Sequence, residues 1–565
     1  MSAKATRRTR RRARGSVYHP ERYAVPAGGD ARLCPELRAA SYSEPFGPNP
    51  GRGWADVQRG ARHTVCLSGS HTVLGGVTVA QIVSDTGTDS APAPRASAPL
   101  EPAGPAGLPY LGCLDGLLRN PMAFWLRVAN RYGPIAKVPI RGKSVYLVSD
   151  PELLYELLVT KRRKYRKNTR YRAAVEVLGD GLLLTEGDEW KRQRLITQPM
   201  FKSDYIGAQV PWMAADIEAF LDGWAPRARA GAVIDTEREF LDLSQRIAGR
   251  YLMGAGFAEI ADRFCAAAVA IKNAWPVPPR SALHALFGRA VGWTPAMEGA
   301  VRDIEACVYE CIAKQRARDF ADCGVLEALV KSSREQGDEF DDKSLRSQLL
   351  TLFFAGHETS STSLAWIFYL LDRHPDARAQ VAAESVRIVG DRLPTAADVD
   401  ALVYTEQVVS ESLRLYSPIH SISRVALEPD TLGGYAIPQG ATLYVSLYAM
   451  HRLDRLWPAP HRFDPDRFLP DRCAARPRFS FIPFAAGHRN CIGSQMAMVE
   501  IKLVVAQIMR RFELGLVRGQ RIGIAAGTTM HPRYGMKMQL RPVATTAPIV
   551  GARPAATTRW NAERS

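Results

Sequence analysis

The chain has 565 residues, 46% of them apolar, and a formal charge of +17 from 74 Lys and Arg against 57 Asp and Glu. Such an apolar share supports a substantial core, and the most apolar run, Leu349 to Ala355, falls far short of the roughly 20 residues that a membrane-spanning helix needs. The nine cysteines are scattered without a C-x-x-C pair, which argues against a disulfide framework or structural zinc and for a reducing compartment, here the cytoplasm.

Lys4, Arg7, Arg8, Arg10, Arg11, Arg12 and Arg14 carry much of the excess charge, so part of it belongs to a tail. An acidic protein partner accounts for such a charge as well as nucleic acid does. No specific nucleic-acid partner is expected. The twin arginines are not followed by an apolar run, so no secretory leader is expected. The absence of acids before Glu21 resembles an organelle transit peptide, which stands as an alternative. Residues 1–107 lack a sustained hydrophobic period and are rich in Gly, Pro, Ser and Ala, as in a disordered extension. One folded domain is expected over residues 108–543, and a disordered tail over residues 544–565.

Pro121 to Tyr132 has helical periodicity. Lys137–Ile140 and Ser144–Val148 alternate as a hairpin across Arg141-Gly142. Asp150-Pro151 opens a further helix, with Asp as cap and Pro at the first position. Trp190 and Arg194 stand four apart and share a helical face, with Lys191 and Arg192 pointing away from it. Residues 205–335 are expected to form helices broken at Pro211, Pro226 and Trp275–Pro279, with Pro276–Pro295 a Pro-rich apolar connection. Cys307 and Cys311, also four apart, are expected to be core neighbours.

Ser344 to Arg373 carries the longest helical pattern, about 45 Å at 1.5 Å per residue. Ala355-Gly356-His357-Glu358-Thr359-Ser360 interrupts it with a glycine, an acid and hydroxyls. These lower helix stability and bury polar groups, and such local violations mark functional positions. Glu411 and Arg414 share a helical face, and Phe463-Asp464-Pro465-Asp466-Arg467-Phe468 follows. Gly434–Gly440 and Thr442–Leu447 are expected to pair as strands. Ala526-Gly527-Thr528-Thr529 has the composition of a hairpin tip, and Met536 to Leu540 alternates as a strand.

In Phe484-Ala485-Ala486-Gly487-His488-Arg489-Asn490-Cys491-Ile492-Gly493 a cysteine stands in a glycine-framed loop just ahead of a helix at Ser494–Arg511. The positive end of a helix favours an anion, so Cys491 is expected to have a lowered pKa and to ligate metal as a thiolate. The alternative is a buried structural cysteine.

The ten-residue stretch resembles the haem-binding loop F-x-x-G-x-R-x-C-x-G of the cytochrome P-450 family, with every fixed position filled. A/G-G-x-D/E-T at Ala355–Thr359, W-x-x-x-R at Trp190–Arg194, E-x-x-R at Glu411–Arg414 and F-x-P-x-R-F at Phe463–Phe468 match the same family in order. The resemblance implies a mainly α, two-lobed fold with small β-sheets, and haem b (iron protoporphyrin IX) between the long central helix and the cysteine loop. It makes Cys491 the axial metal ligand, with Trp190, Arg194, Arg424 and Arg489 at the propionates and Phe484 near the sulfur. Thr359 and Glu358 are then the catalytic proton relay, while Arg467 joins Glu411 and Arg414 in a structural cluster. The segment Ser417–Arg424 and the hairpin tip are implied to line the substrate site, and Pro276–Pro295 to cover its entrance. Phe353, Phe354, Ile419 and Ile422 would form a lipophilic pocket for a terpenoid, fatty acid, steroid or polyketide. The implied activity is monooxygenation. No flavin or iron–sulfur segment follows the haem domain, so NAD(P)H electrons are expected through a separate ferredoxin or flavin-type reductase. Peroxide-driven oxygenation, isomerisation and a non-catalytic haem sensor are the rival readings.

Overall fold

The computed structural model describes residues 99–168, 172–274, 294–319, 324–335, 337 and 340–543. The N-terminal extension up to residue 98, the tail from 544 and nearly all of the Pro276–Pro295 connection lie outside them. The chain joins the domain ahead of Leu108: Leu100 N–H donates to Gly434 O at 2.9 Å, and Lys137 N–H to Ala103 O at 3.0 Å.

The Asn120 side chain accepts the Ala123 N–H at 3.0 Å, and Pro121 at the first position needs no partner, so helix α1 spans Pro121–Tyr132. It buries Met122, Phe124, Trp125 and Val128, each contributing roughly 1.5–3 kcal/mol by leaving water. The chain then makes strands β1 (Ile135–Ile140) and β2 (Lys143–Val148). Arg141 and Gly142 both take positive φ, 50° and 71°, as a two-residue turn of this hand requires. Asp150 caps a short helix through the Glu152 and Leu153 amides, and β3 (Tyr165–Lys167) follows.

Helix α2 (Gly187–Thr197) carries Trp190 and Arg194. Helix α3 (Ser203–Asp222) runs unbroken through Pro211, contrary to the expected break. A lost N–H and a ring clash cost about 3 kcal/mol. Burial of Ile206, Val210, Met213, Ile217 and Leu221 along one face outweighs that. The break comes at Gly223, and Pro226 sits harmlessly in the first turn of the next short helix.

Strand β4 (Val233–Asp235) leads into α4 (Thr236–Met253), followed by α5 (Ala261–Ala274) and α6 (Pro295–Arg316), where Cys307 and Cys311 are both buried. The Asp341 side chain caps α7 (Asp342–Arg373), which at 32 residues is about 48 Å long. Helix α4 lies along α7, with Phe240 stacked on Phe368 at 5.3 Å. Helix α8 (Val403–Leu415) precedes β5 (Ser421–Ala426), β6 (Asp430–Leu432), β7 (Tyr435–Ile437) and β8 (Thr442–Ser446). Helix α9 (Ser494–Arg511) runs into β9 (Phe512–Leu516), and β10 (Ile524–Ala526), β11 (Met530–Pro532) and β12 (Lys537–Pro542) complete the strands.

One five-stranded sheet has the order β1-β2-β8-β5-β3, in which β2 and β8 are parallel. The expected pairing of Gly434–Gly440 with Thr442–Leu447 does not occur. Strand β7 pairs with β6, while β8 enters the larger sheet between β2 and β5. Leu443 and Val445 are buried there, so the side-chain alternation reports a central strand rather than a local hairpin. Two apolar cores result. One packs the sheet against α1, and the other packs α3 to α9 around α7.

Glu411 lies in the wall joining the long helices to the loop that precedes Cys491. Arg414 grips it with bonds of 2.6 and 2.7 Å, and Arg467 approaches to 3.4 Å. Arg414 is fully buried and also donates to the carbonyls of His451, Pro460 and Arg462. This is the structural cluster the resemblance implied. Buried charge is tolerated here because almost every donor has an acceptor.

Candidate functional site: a cysteine loop and the helix that ties it to the long helix

The loop before α9 is closed by its own backbone. Cys491 N–H donates to Phe484 O at 2.9 Å, and Asn490 N–H to Gly487 O at 3.0 Å. Gly487 has φ 73°, and a Cβ there would meet Leu158 O at 2.3 Å, so only glycine lets the loop seat this closely. The Arg194 guanidinium donates to the Asn490 carbonyl and to its side-chain oxygen, both at 3.1 Å. Arg194 thus braces the peptide next to Cys491.

The Cys491 thiol is accessible, yet surrounding protein is what most affects its proton affinity. Both facts hold if it faces an enclosed space. Burial pushes the thiol pKa up; the Gly493 amide and Arg194 pull it down by less. The lowered pKa expected from the helix terminus is therefore not found, because desolvation of the thiolate outweighs the dipole. A thiol in this position needs a metal cation to hold it deprotonated.

A second accessible region is the middle of α7. Phe353, His357 and Ser360 are buried, whereas Ala355 between them is exposed and Thr359 partly so. Helix α9 fixes the relation: Glu500 accepts from the Ser360 hydroxyl at 2.9 Å and from Ser244 of α4 at 2.8 Å. Ser494 to Glu500 covers about 9 Å of helix, so a short stretch of α9 joins the cysteine loop to the polar break in α7.

Thr359 Oγ1 donates to Ala355 O at 2.9 Å, turning back into its own helix. Glu358 does not reach for Thr359. It accepts from Thr529 Oγ1 at 3.0 Å, and Lys272 of α5 stands 3.6 Å away. His357 packs on Phe353 and bonds its carbonyl at 2.7 Å, and burial lowers its pKa to about 4, so it is a neutral core residue. Phe353 is fully buried against Phe264 and belongs to the core rather than to a ligand pocket. Phe354, Ile419 and Ile422 keep partial exposure.

Beside the loop, cations outnumber acids. Arg489 pairs with Glu186 at 2.8 Å, donates to Thr185 O at 2.9 Å and lies 4.0 Å over the Trp190 ring. Trp190 meets His488 edge-on at 5.3 Å. Strand pairing sets Arg424 opposite Lys167. Burial lowers Arg489 to about 10, with Glu186 opposing and Arg424 and Arg194 reinforcing. Burial also lowers Lys167 to about 8, again reinforced by Arg489 and Arg424. Three arginines and a lysine that repel one another around one carboxylate leave the loop's flank with an excess of positive charge, which favours an anion.

A cysteine sulfur in a glycine-framed loop, with a cluster of cations beside it, has the chemistry to hold haem, a flat dianionic macrocycle. The fold and the site together define a haem-thiolate oxygenase. The family model described as Cytochrome P450 matches residues 102–530. The chain belongs to the cytochrome P450 family, and it is a monooxygenase. It is 31% identical over 424 residues to cyclooctatin synthase of Streptomyces melanosporofaciens, covering 74% of this chain and 91% of that one. It is 32% identical over 432 residues to cyclooctat-9-en-7-ol 5-monooxygenase of the same organism, covering 74% and 90%. It is 28% identical over 444 residues to pentalenene oxygenase of Streptomyces avermitilis, covering 78% and 97%. The crystal structure of the cytochrome P450DA heme domain superimposes with a TM-score of 0.68 at 24% identity, covering 79% of this chain and 97% of that one.

Sequence reasoning missed Glu500, Lys272, Glu237, Lys167 and Glu186, and it placed Thr529 in the hairpin tip without its bond to Glu358. An acid nine residues after Cys491, on the buried face of α9, was a usable signal for Glu500. Nothing local marks Lys272 or Lys167, which reach the site from other elements.

Proposed function

We propose that this protein inserts one oxygen atom of O2 into a lipophilic small molecule of the terpenoid class, with electrons from NAD(P)H delivered by a separate ferredoxin or flavin-type reductase. Bound haem supplies dioxygen activation. The protein supplies ligation, orientation and proton delivery. Cys491 would hold the iron, and Arg194, Arg424, Arg489 and Trp190 would hold the propionate side, with Phe484 fixing the Cys491 amide. Thr359 would present its hydroxyl to the accessible face of α7, and Glu358 would replenish its proton, a general-acid role.

The observation that carries this reading is the accessible Cys491, joined through the Glu500–Ser360 bond of α9 to the accessible Ala355 and Thr359 of α7. The relatives' names, which refer to cyclooctatin, cyclooctat-9-en-7-ol and pentalenene, support the substrate class. Partly exposed Phe354, Ile419 and Ile422 suit an apolar ring system. The net charge of +17 supports an acidic redox partner. Among the described residues no helix is long and apolar enough to cross a membrane. We place the enzyme in the cytoplasm because its nine cysteines are scattered along the sequence with no C-x-x-C pair.

The test is a spectral titration of the holoprotein with polycyclic terpenes, fatty acids, steroids and macrolide polyketides, followed by turnover with a ferredoxin pair. Saturable shifts and hydroxylated product with terpenes alone are expected. Product only from another class would overturn the substrate assignment.

A further inference from the structure

Four elements bring side chains to one point beside Glu358. Glu237 stands in the first turn of α4, Lys272 in the last turn of α5, Glu358 at the middle of α7 and Thr529 in the β10–β11 turn region. The Lys272 ammonium lies 3.6 Å from Glu358 Oε1 and 3.9 Å from Glu237 Oε1. All three side chains are mostly buried, with 17–26% exposure, so solvent screens them little. Thr529, almost fully buried, donates to the same Oε1. The Glu358 carboxylate is thus drawn toward α5 and the turn, while the Thr359 hydroxyl is bonded to Ala355 O.

We propose that Lys272 and Glu237 are positioning residues for Glu358: Lys272 holds the carboxylate away from Thr359, and the charge on Glu237 sets how firmly it does so. This rests on the monooxygenase reading and adds to it. When Glu237 is ionised it shares the ammonium and repels Glu358, which is then released toward Thr359. When Glu237 is neutral, Lys272 has one carboxylate left and keeps it. The proton that Glu358 gives up toward Thr359 Oγ1 is regained from solvent, so no other reactant is consumed.

Burial raises the Glu237 pKa to about 7, with Lys272 opposing and Asp235 and Glu358 reinforcing. The charged and titratable groups facing Glu237 are therefore Asp235 of β4, Lys272 of α5 and Glu358 of α7. His531 of β11 also lies within reach of this cluster, since Lys272 and Glu358 both act on it. Ionisation of Glu237 falls in the working range, and release of Glu358 increases as pH rises through it.

The experiment measures NADPH-driven oxygen uptake of the haem-loaded protein from pH 6 to 8.5, with a ferredoxin, its reductase and no added substrate. Wild type, Glu237→Gln and Lys272→Met are compared. Wild type should rise by roughly fivefold with a midpoint near 7, the size of a modest coupling between sites. Glu237→Gln should stay flat at the low-pH rate and Lys272→Met flat at the high-pH rate. General damage would lower both variants alike, so a common fall overturns the proposal, as does either variant keeping the wild-type profile. The thiolate-type reduced carbon-monoxide band, recorded on each sample, separates the two readings. Its absence in wild type defeats the haem assignment, whereas its presence with unmoved profiles defeats only the positioning role.

Discussion

The Ser360 hydroxyl donates to the Glu500 carboxylate at 2.9 Å, joining the residue after Thr359 to the helix that begins at the cysteine loop. A second serine, Ser244, bonds the other oxygen at 2.8 Å. Through this contact the helix that follows the Cys491 loop is tied to the Ala355–Thr359 break in α7.

Glu500 also gives a stability prediction. Burial raises its pKa to about 7, and the two serines compensate only in part. The folded protein therefore holds this proton more tightly than the unfolded chain, which releases it near the ordinary Glu value. The contribution is fully present below about pH 4.5 and is lost as pH rises to about 7, up to about 3 kcal/mol for a shift of that size. Glu500→Gln should remove this slope, and melting of both proteins at pH 5 and pH 8 checks it.

Cys491→Ser should abolish the thiolate-type reduced carbon-monoxide band while leaving the helical circular dichroism in place. The loop is closed by backbone bonds from Cys491 N and Asn490 N, which the side chain does not make. An unchanged band would contradict the ligand assignment.

Thr359→Ala removes the hydroxyl now bonded to Ala355 O. Product formation should fall on the order of a hundredfold, the low end for a lost proton-transfer group, while oxygen uptake persists as peroxide release. Product and peroxide counted against NADPH decide it. Equal yields in both proteins would exclude the relay.

Arg489→Leu leaves Trp190 without its cation and Glu186 without its partner. It should weaken haem retention about tenfold, since a charge-assisted bond to an acid contributes roughly 1.5–3 kcal/mol. Haem transfer to apomyoglobin measures the loss directly.

Arg414→Ala tests the wall. It strips a fully buried Glu411 of its bidentate partner, which should cost about 3–5 kcal/mol. Denaturant unfolding checks the size, and Arg414→Lys should recover only part, because a single ammonium cannot make the fork.

The sequence by itself determined the motifs and the local elements. The periodicity of Pro121–Tyr132 gave a helix, Asp150-Pro151 started another, Arg141-Gly142 turned a hairpin, and Ala355–Thr359 marked the break in α7. Each depends on neighbours a few residues away, where capping, turn geometry and helical spacing act. Tertiary structure decided the rest. It carried α3 through Pro211, because burial on one face exceeded a local penalty. It moved β8 from a hairpin to the middle of a sheet, sent Phe353 into the core and raised the Cys491 pKa where the helix terminus alone would lower it. It also brought Lys272 and Glu237 to Glu358 from two other helices. Those outcomes turn on desolvation and on charges meeting across long stretches of chain, and no local spacing encodes them.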